Sequence, residues 1–187
     1  MARLFSWKPA LSYRERKFKG LRGWAGKPTH PPLTDFPVVA YILTGIFDAI
    51  SFFVGDGRLA ADLFRASTFV IVAGAIISVP TAATGFWDWL RSTTPRTQAW
   101  RTANAHMAAM VLVTLIVVVD IIVRIGQWDD GGTGGLVFAL SAVAALMVSI
   151  GAMYGGSLVY EYGFNVETAG DSPVWHESEI DVYPGQK

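Results

Sequence analysis

Apolar residues in this chain fall into four long continuous blocks, Phe36 to Gly55, Ala66 to Leu90, Ala103 to Ile125 and Gly135 to Tyr160. Each is about as long as the ~20 residues a helix needs to cross ~30 Å of hydrocarbon. The links GDGRLAADLFR, RSTTPRTQAWRT and GQWDDGGTG are short and rich in turn or polar residues, which makes sequential helices antiparallel neighbours. β-branched runs such as Val117-Val118-Val119 would favour a strand in water. In lipid an unpaired strand edge leaves backbone groups without partners, and runs without alternation do not suit a barrel wall. The pattern predicts an all-α integral membrane protein: a basic tail over 1–35, a four-helix transmembrane domain over 36–160 and an acidic, irregular tail over 161–187.

Composition agrees with that pattern. Only 16% of residues are charged, against roughly 25% in an ordinary soluble domain, and the mean hydropathy is +0.38. The formal charge is zero, but eight of the fifteen Lys/Arg precede residue 28 and six of the fifteen acids follow residue 160. In a four-span arrangement twelve basic residues lie on the side of the two termini and three (Arg58, Arg65, Arg124) on the other. The positive-inside bias therefore predicts cytoplasmic termini and a multi-pass protein of the bacterial inner membrane. Trp87, Trp89, Trp100 and Trp128 stand where aromatic belts are expected. The first residues hold no signal-peptide apolar run, so the N-terminal segment is expected to stay in the mature chain. Its mixture of Arg, Lys, Trp and Tyr suits an arm lying on anionic headgroups, or an ordinary basic flank.

Candidate chemistry lies in the few polar residues of the apolar blocks. Zero cysteines exclude disulfides, thiolate zinc sites and Cys-ligated iron–sulfur clusters. Helical spacing lines up Tyr41, Thr44 and Asp48 in the first span, and Gly74, Ser78, Thr81, Gly85 and Asp88 in the second, which Pro80 should kink. The third aligns His106, Met110, Val113, Val117, Asp120 and Arg124, and the fourth Ser141, Ala145, Ala152 and Gly155. The freed carbonyl at Pro80 is expected to be satisfied by a neighbour or by the hydroxyl of Thr81 or Thr84. Asp120 and Arg124 are i,i+4 partners, and with Asp48 they form an intramembrane polar set. A buried clasp between helices is the preferred reading of that set, and a proton or ion path the alternative.

At the opposite end, His30, Asp88, His106 and Tyr160 reach one depth from four elements. Two histidines at one level of a four-helix bundle are the minimum for bis-histidine ligation of a b-type haem; with Asp or Glu they could hold a divalent metal instead. His30 precedes Pro31-Pro32 and is expected to lie outside the helix. His176 is expected to be solvated.

The ordered set of His30-Pro31 with Phe36-Pro37, then Thr84-Gly85 with Asp88, an early His106, and Gly155-Gly156, Leu158-Val159-Tyr160 and Gly163 resembles the bacterial membrane family called domain of unknown function 2231. The resemblance covers roughly residues 28 to 167. It implies a compact four-helix membrane module, in a family sometimes joined to or found near Rieske-type redox domains, and hence membrane electron transport by analogy. It also puts His30, Asp88, His106 and Tyr160 at recurrent motif positions.

Two functions are expected. One is an electron-transport protein holding a b-type haem or metal near the cytoplasmic face, with a quinone or redox partner. The other is a cofactor-free accessory subunit of a larger respiratory-type complex. A transporter ranks below both, since no inverted repeat is evident. Nothing argues for an enzyme acting by itself: there is no phosphate loop, nucleophile elbow or zinc-protease motif. The basic tail is too short and too close to the membrane to suit nucleic acid.

Overall fold

The computed structural model describes residues 20–23, 28–164 and 166; the remainder of both expected tails lies outside the described residues. Four helices run in sequence: α1 (His30–Val54), α2 (Arg58–Ser92), α3 (Gln98–Gly126) and α4 (Gly135–Tyr160). All four are long and apolar enough to cross a membrane. Among the described residues there is no strand, only an isolated antiparallel bridge between Arg22 and Pro28.

α1 packs closely on α2 and also on α4, α3 packs on α4, and α2 touches α3 only lightly. α1 and α3 are thus diagonal across a four-helix bundle. Between them lies a core of Tyr41, Ile71, Val113, Val117, Ala144 and Val148. The α1–α2 contact is close because small residues meet there: a Cβ on Gly74 would stand 2.7 Å from the Cβ of Ala40. The outward faces carry Phe36, Phe53, Phe69, Val79, Ile122, Leu146 and Met153, all largely exposed. In water this would be an apolar surface far larger than monomers show, whereas hydrocarbon solvates it. Both ends of the bundle's chain and the α2–α3 link lie on one face, called here the terminal face; the α1–α2 and α3–α4 links form the hairpin face.

The helices depart from the expected spans in ways that matter for the sites. α1 begins at His30 rather than near 36, so the expectation that His30 is non-helical is corrected. Pro31 and Pro32 occupy the first turn, where a missing N–H has no helical partner to lose and a fixed φ suits the helix. Pro37 lies inside α1 and cannot donate to Leu33 O, which instead accepts from the Thr81 hydroxyl at 3.3 Å. α2 begins at Arg58, so the expected link GDGRLAADLFR shrinks to Gly55–Gly57. Its charged residues continue the helix on an exposed face, with Arg58 and Asp62 3.6 Å apart.

At Pro80 the hydroxyl alternative is corrected. The Thr81 hydroxyl donates to Ile77 O and Leu33 O, and that of Thr84 to Pro80 O and Thr81 O, so neither serves Ile76 O, the carbonyl that Pro80 frees. In α4 the buried face is Val137, Ser141, Ala144, Val148 and Gly151; Ala152, expected on the seam, is exposed.

Candidate functional site

Near the terminal face, the first residue of α1 and the third turn of α3 bring two histidines together. The ring centroids of His30 and His106 are 6.4 Å apart and the rings are inclined at 75°. Nδ1 of His30 lies 2.9 Å from Thr81 O, and Nδ1 of His106 lies 2.8 Å from Gly151 O. A carbonyl oxygen can only accept, so each Nδ1 carries the proton and donates it. Each Nε2 is then left with a lone pair, the form in which imidazole binds metal. The carbonyls come from α2 and α4, so all four helices build the pair.

Glycines give the rings room. A Cβ on Gly85 would stand 2.6 Å from Cε1 of His30, and one on Gly155 would stand 3.3 Å from Cε1 of His106. Both rings are half-buried, so the pair is not sealed. Trp89 Nε1 donates to Asn104 Oδ1 at 2.8 Å, tying α2 to α3 close by in sequence.

The other two residues expected at this level behave differently. Asp88 is buried and accepts from the backbone N–H of Leu21 at 2.9 Å, anchoring the segment that precedes α1. Tyr160 is 90% exposed and does not join the histidines. It is the last residue of α4, where no neighbouring helix covers it.

Two imidazoles are fewer donors than a bare ion usually takes from a protein. Among the described residues no group of three His, Asp or Glu is arranged to hold a metal, whereas structural and catalytic zinc sites use three or four protein ligands. A haem brings four nitrogens of its own and asks the protein for one or two axial ligands. Two imidazoles binding one ion from opposite sides, at N–metal bonds of about 2 Å, have centroids roughly 6 Å apart, close to the observed separation.

Near the hairpin face a second polar assembly is fully enclosed. Asp48, Asp120 and Arg124 each have no solvent exposure. Arg124 Nη2 donates to Asp48 Oδ2 at 2.6 Å and to Asp120 Oδ2 at 3.1 Å, and its Nε to Asp120 Oδ1 at 3.0 Å. Nη1 reaches Ser67 Oγ at 2.9 Å, with Thr68 Oγ1 and Asp48 Oδ1 each at 3.4 Å. Asp48 Oδ1 also accepts from Ser67 at 2.5 Å and from Thr133 at 3.2 Å. The hydroxyls Ser51, Ser67, Thr68 and Thr133 join this set without having been expected from the sequence. The available signal was Ser67-Thr68 at the head of an apolar run, and Thr133 as the one side chain in GGTGG.

Four long apolar helices, an apolar exterior and polar groups confined to the bundle interior define a multi-pass α-helical membrane protein. A family model described as "Predicted membrane protein (DUF2231)" matches residues 26–168, well over half of the chain, and the chain belongs to that family. No curated protein and no solved structure matches it.

Proposed function

We propose that the protein is an electron-transport component of the bacterial inner membrane that holds one b-type haem between His30 and His106, near a cytoplasmic terminal face. The observation that carries this reading is the histidine pair itself, two Nδ1–H donors fixed on backbone carbonyls 51 and 45 residues away in sequence, with their rings 6.4 Å apart. Bound there, haem supplies one-electron chemistry. The protein's part is orientation and environment. The carbonyls of Thr81 and Gly151 hold the ring planes and enrich the ligating nitrogens. The surrounding apolar helices cover part of each ring. The cytoplasmic assignment rests on the twelve-to-three distribution of Lys/Arg.

The test is an absorption spectrum of the full-length protein purified from a haem-replete host. The expected result is a Soret band that sharpens and shifts on reduction, as in low-spin six-coordinate haem, and is lost in His30→Ala and His106→Ala. A folded, colourless protein that takes up no added haem would overturn the reading and leave a cofactor-free subunit of a larger membrane complex.

A further inference from the structure

The enclosed assembly at the hairpin face has an odd charge. Two carboxylates, Asp48 on α1 and Asp120 on α3, share one guanidinium, Arg124. Among the described residues no other cation touches either carboxylate. The elements packed around them add no titratable group: α2 offers the hydroxyls of Ser67 and Thr68, the α3–α4 link offers Thr133, and α4 presents Ser141 and Val137. With both carboxylates ionised, a site without solvent exposure would hold a full uncompensated negative charge about two turns inside the helix end, a costly state in so dry a setting. One proton removes the imbalance, since a neutral and an ionised carboxyl on one guanidinium sum to zero charge.

Access exists from one side. A depression of about 290 Å³ on the hairpin face is lined by Asp56, Asp130, Ser51 and Thr133 among others. Its floor meets the enclosed site: Thr133 N donates to Ser51 Oγ at 3.0 Å, and the Thr133 hydroxyl donates to Asp48 Oδ1 at 3.2 Å. In the other direction Asp48 and His30 are separated by roughly 27 Å of helix; the interior between is packed by Ile71, Val113, Val117, Ala144 and Val148, and its polar groups, Thr44 bonded to Ala40 O and Tyr41 bonded to Ser78, are each turned to a local partner rather than joined in a chain.

We propose that Asp48 and Asp120 form a proton-binding site that holds one proton against Arg124 and exchanges it only with the hairpin side of the membrane, through the Thr133 hydroxyl. In the exchange Thr133 Oγ gives its proton to Asp48 Oδ1 and is refilled by a hydronium ion in the depression. One O–H bond forms and one breaks at Thr133, and no electron moves. The site is a one-sided proton store, with no transmembrane path, and it stands whether or not a haem is bound at the other end.

Infrared spectroscopy of the full-length protein in lipid at neutral pH tests this. The expected result is a protonated-carboxyl C=O band of one group, which shifts in D2O, persists in Asp88→Asn, and is lost in Asp48→Asn or Asp120→Asn. If those variants do not fold, wild-type protein carrying 13C-labelled aspartate must show the same band moved by the label. Thr133→Val should keep the band and slow its response to D2O. Absence of the band in the wild type, its survival in both aspartate variants, its loss in Asp88→Asn, or no shift with the label would overturn the site. An unchanged exchange rate in Thr133→Val would overturn the route.

Discussion

Two kinds of residue decide what each end of the bundle can do: those that donate and those that leave room. His30 and His106 matter through the proton on Nδ1, which backbone carbonyls hold and which frees Nε2 for a ligand. Gly85 matters by lacking a side chain, because a methyl group there would stand 2.6 Å from the His30 ring. Gly85→Ala is therefore expected to lower thermal stability by about 1–3 kcal/mol through overpacking and to weaken haem retention, read from the Soret absorbance per chain; unchanged stability and colour would show that the ring is not seated there. At the other end Arg124 is the cation shared by two enclosed carboxylates. Arg124→Met removes that compensation and is expected to cost about 3–5 kcal/mol in reversible unfolding measured in mixed micelles. Asp120→Asn, which leaves the neutral pair Asp48–Arg124, should cost clearly less. Equal losses would mean that the charge balance has been misassigned.

Helix ends and faces show how far the elements could be read from the sequence. Existence, number and order of the helices follow from four apolar blocks, because length alone decides whether a segment can cross hydrocarbon. Their ends do not follow. Pro31-Pro32 reads as a break yet starts α1, and Arg58, Asp62 and Arg65 read as a loop yet begin α2, since charge at a membrane surface does not oppose helix formation. The buried face of α3 is marked by Asp120 and Arg124. That of α4 is not, because a helix apolar on every side offers no contrast by which Ala144 could be preferred to Ala152. Pro37 gives no sequence sign of which helix serves the carbonyl it frees, because the donor, Thr81, lies 48 residues from Leu33. Thr81→Val removes the hydroxyl that serves Leu33 O and is expected to cost about 1 kcal/mol and to broaden the spectrum of any haem held by His30, whose Nδ1 rests on the carbonyl of the same residue. No change in either measurement would show the hydroxyl to be dispensable.

In the whole molecule, the charged and imidazole groups sit at the two ends of the α1–α3 diagonal, and a largely apolar middle that also holds Thr44 and the Tyr41–Ser78 hydrogen bond separates them. That both histidines lie at one depth was legible in the sequence, because helix direction and residue count fix depth. Their 6.4 Å separation was not, because it depends on how α2 and α4 hold α1 and α3 apart. The same arrangement makes α1 a neighbour of α4, where a Cβ on Gly45 would stand 3.0 Å from that of Ala145. A side chain at Gly45 would push α1 and α4 apart, so Gly45→Val is expected to cost about 1–3 kcal/mol through overpacking, read by reversible unfolding in mixed micelles; unchanged stability would argue against this packing. The central claim, one haem held by this pair, is tested most directly by titrating full-length protein with haemin and counting the sites. The account predicts saturation at one haemin per chain with a low-spin spectrum, and no low-spin species in the double variant His30→Ala, His106→Ala. A wild-type protein that stays folded and binds none, or a double variant that binds as the wild type does, would contradict it.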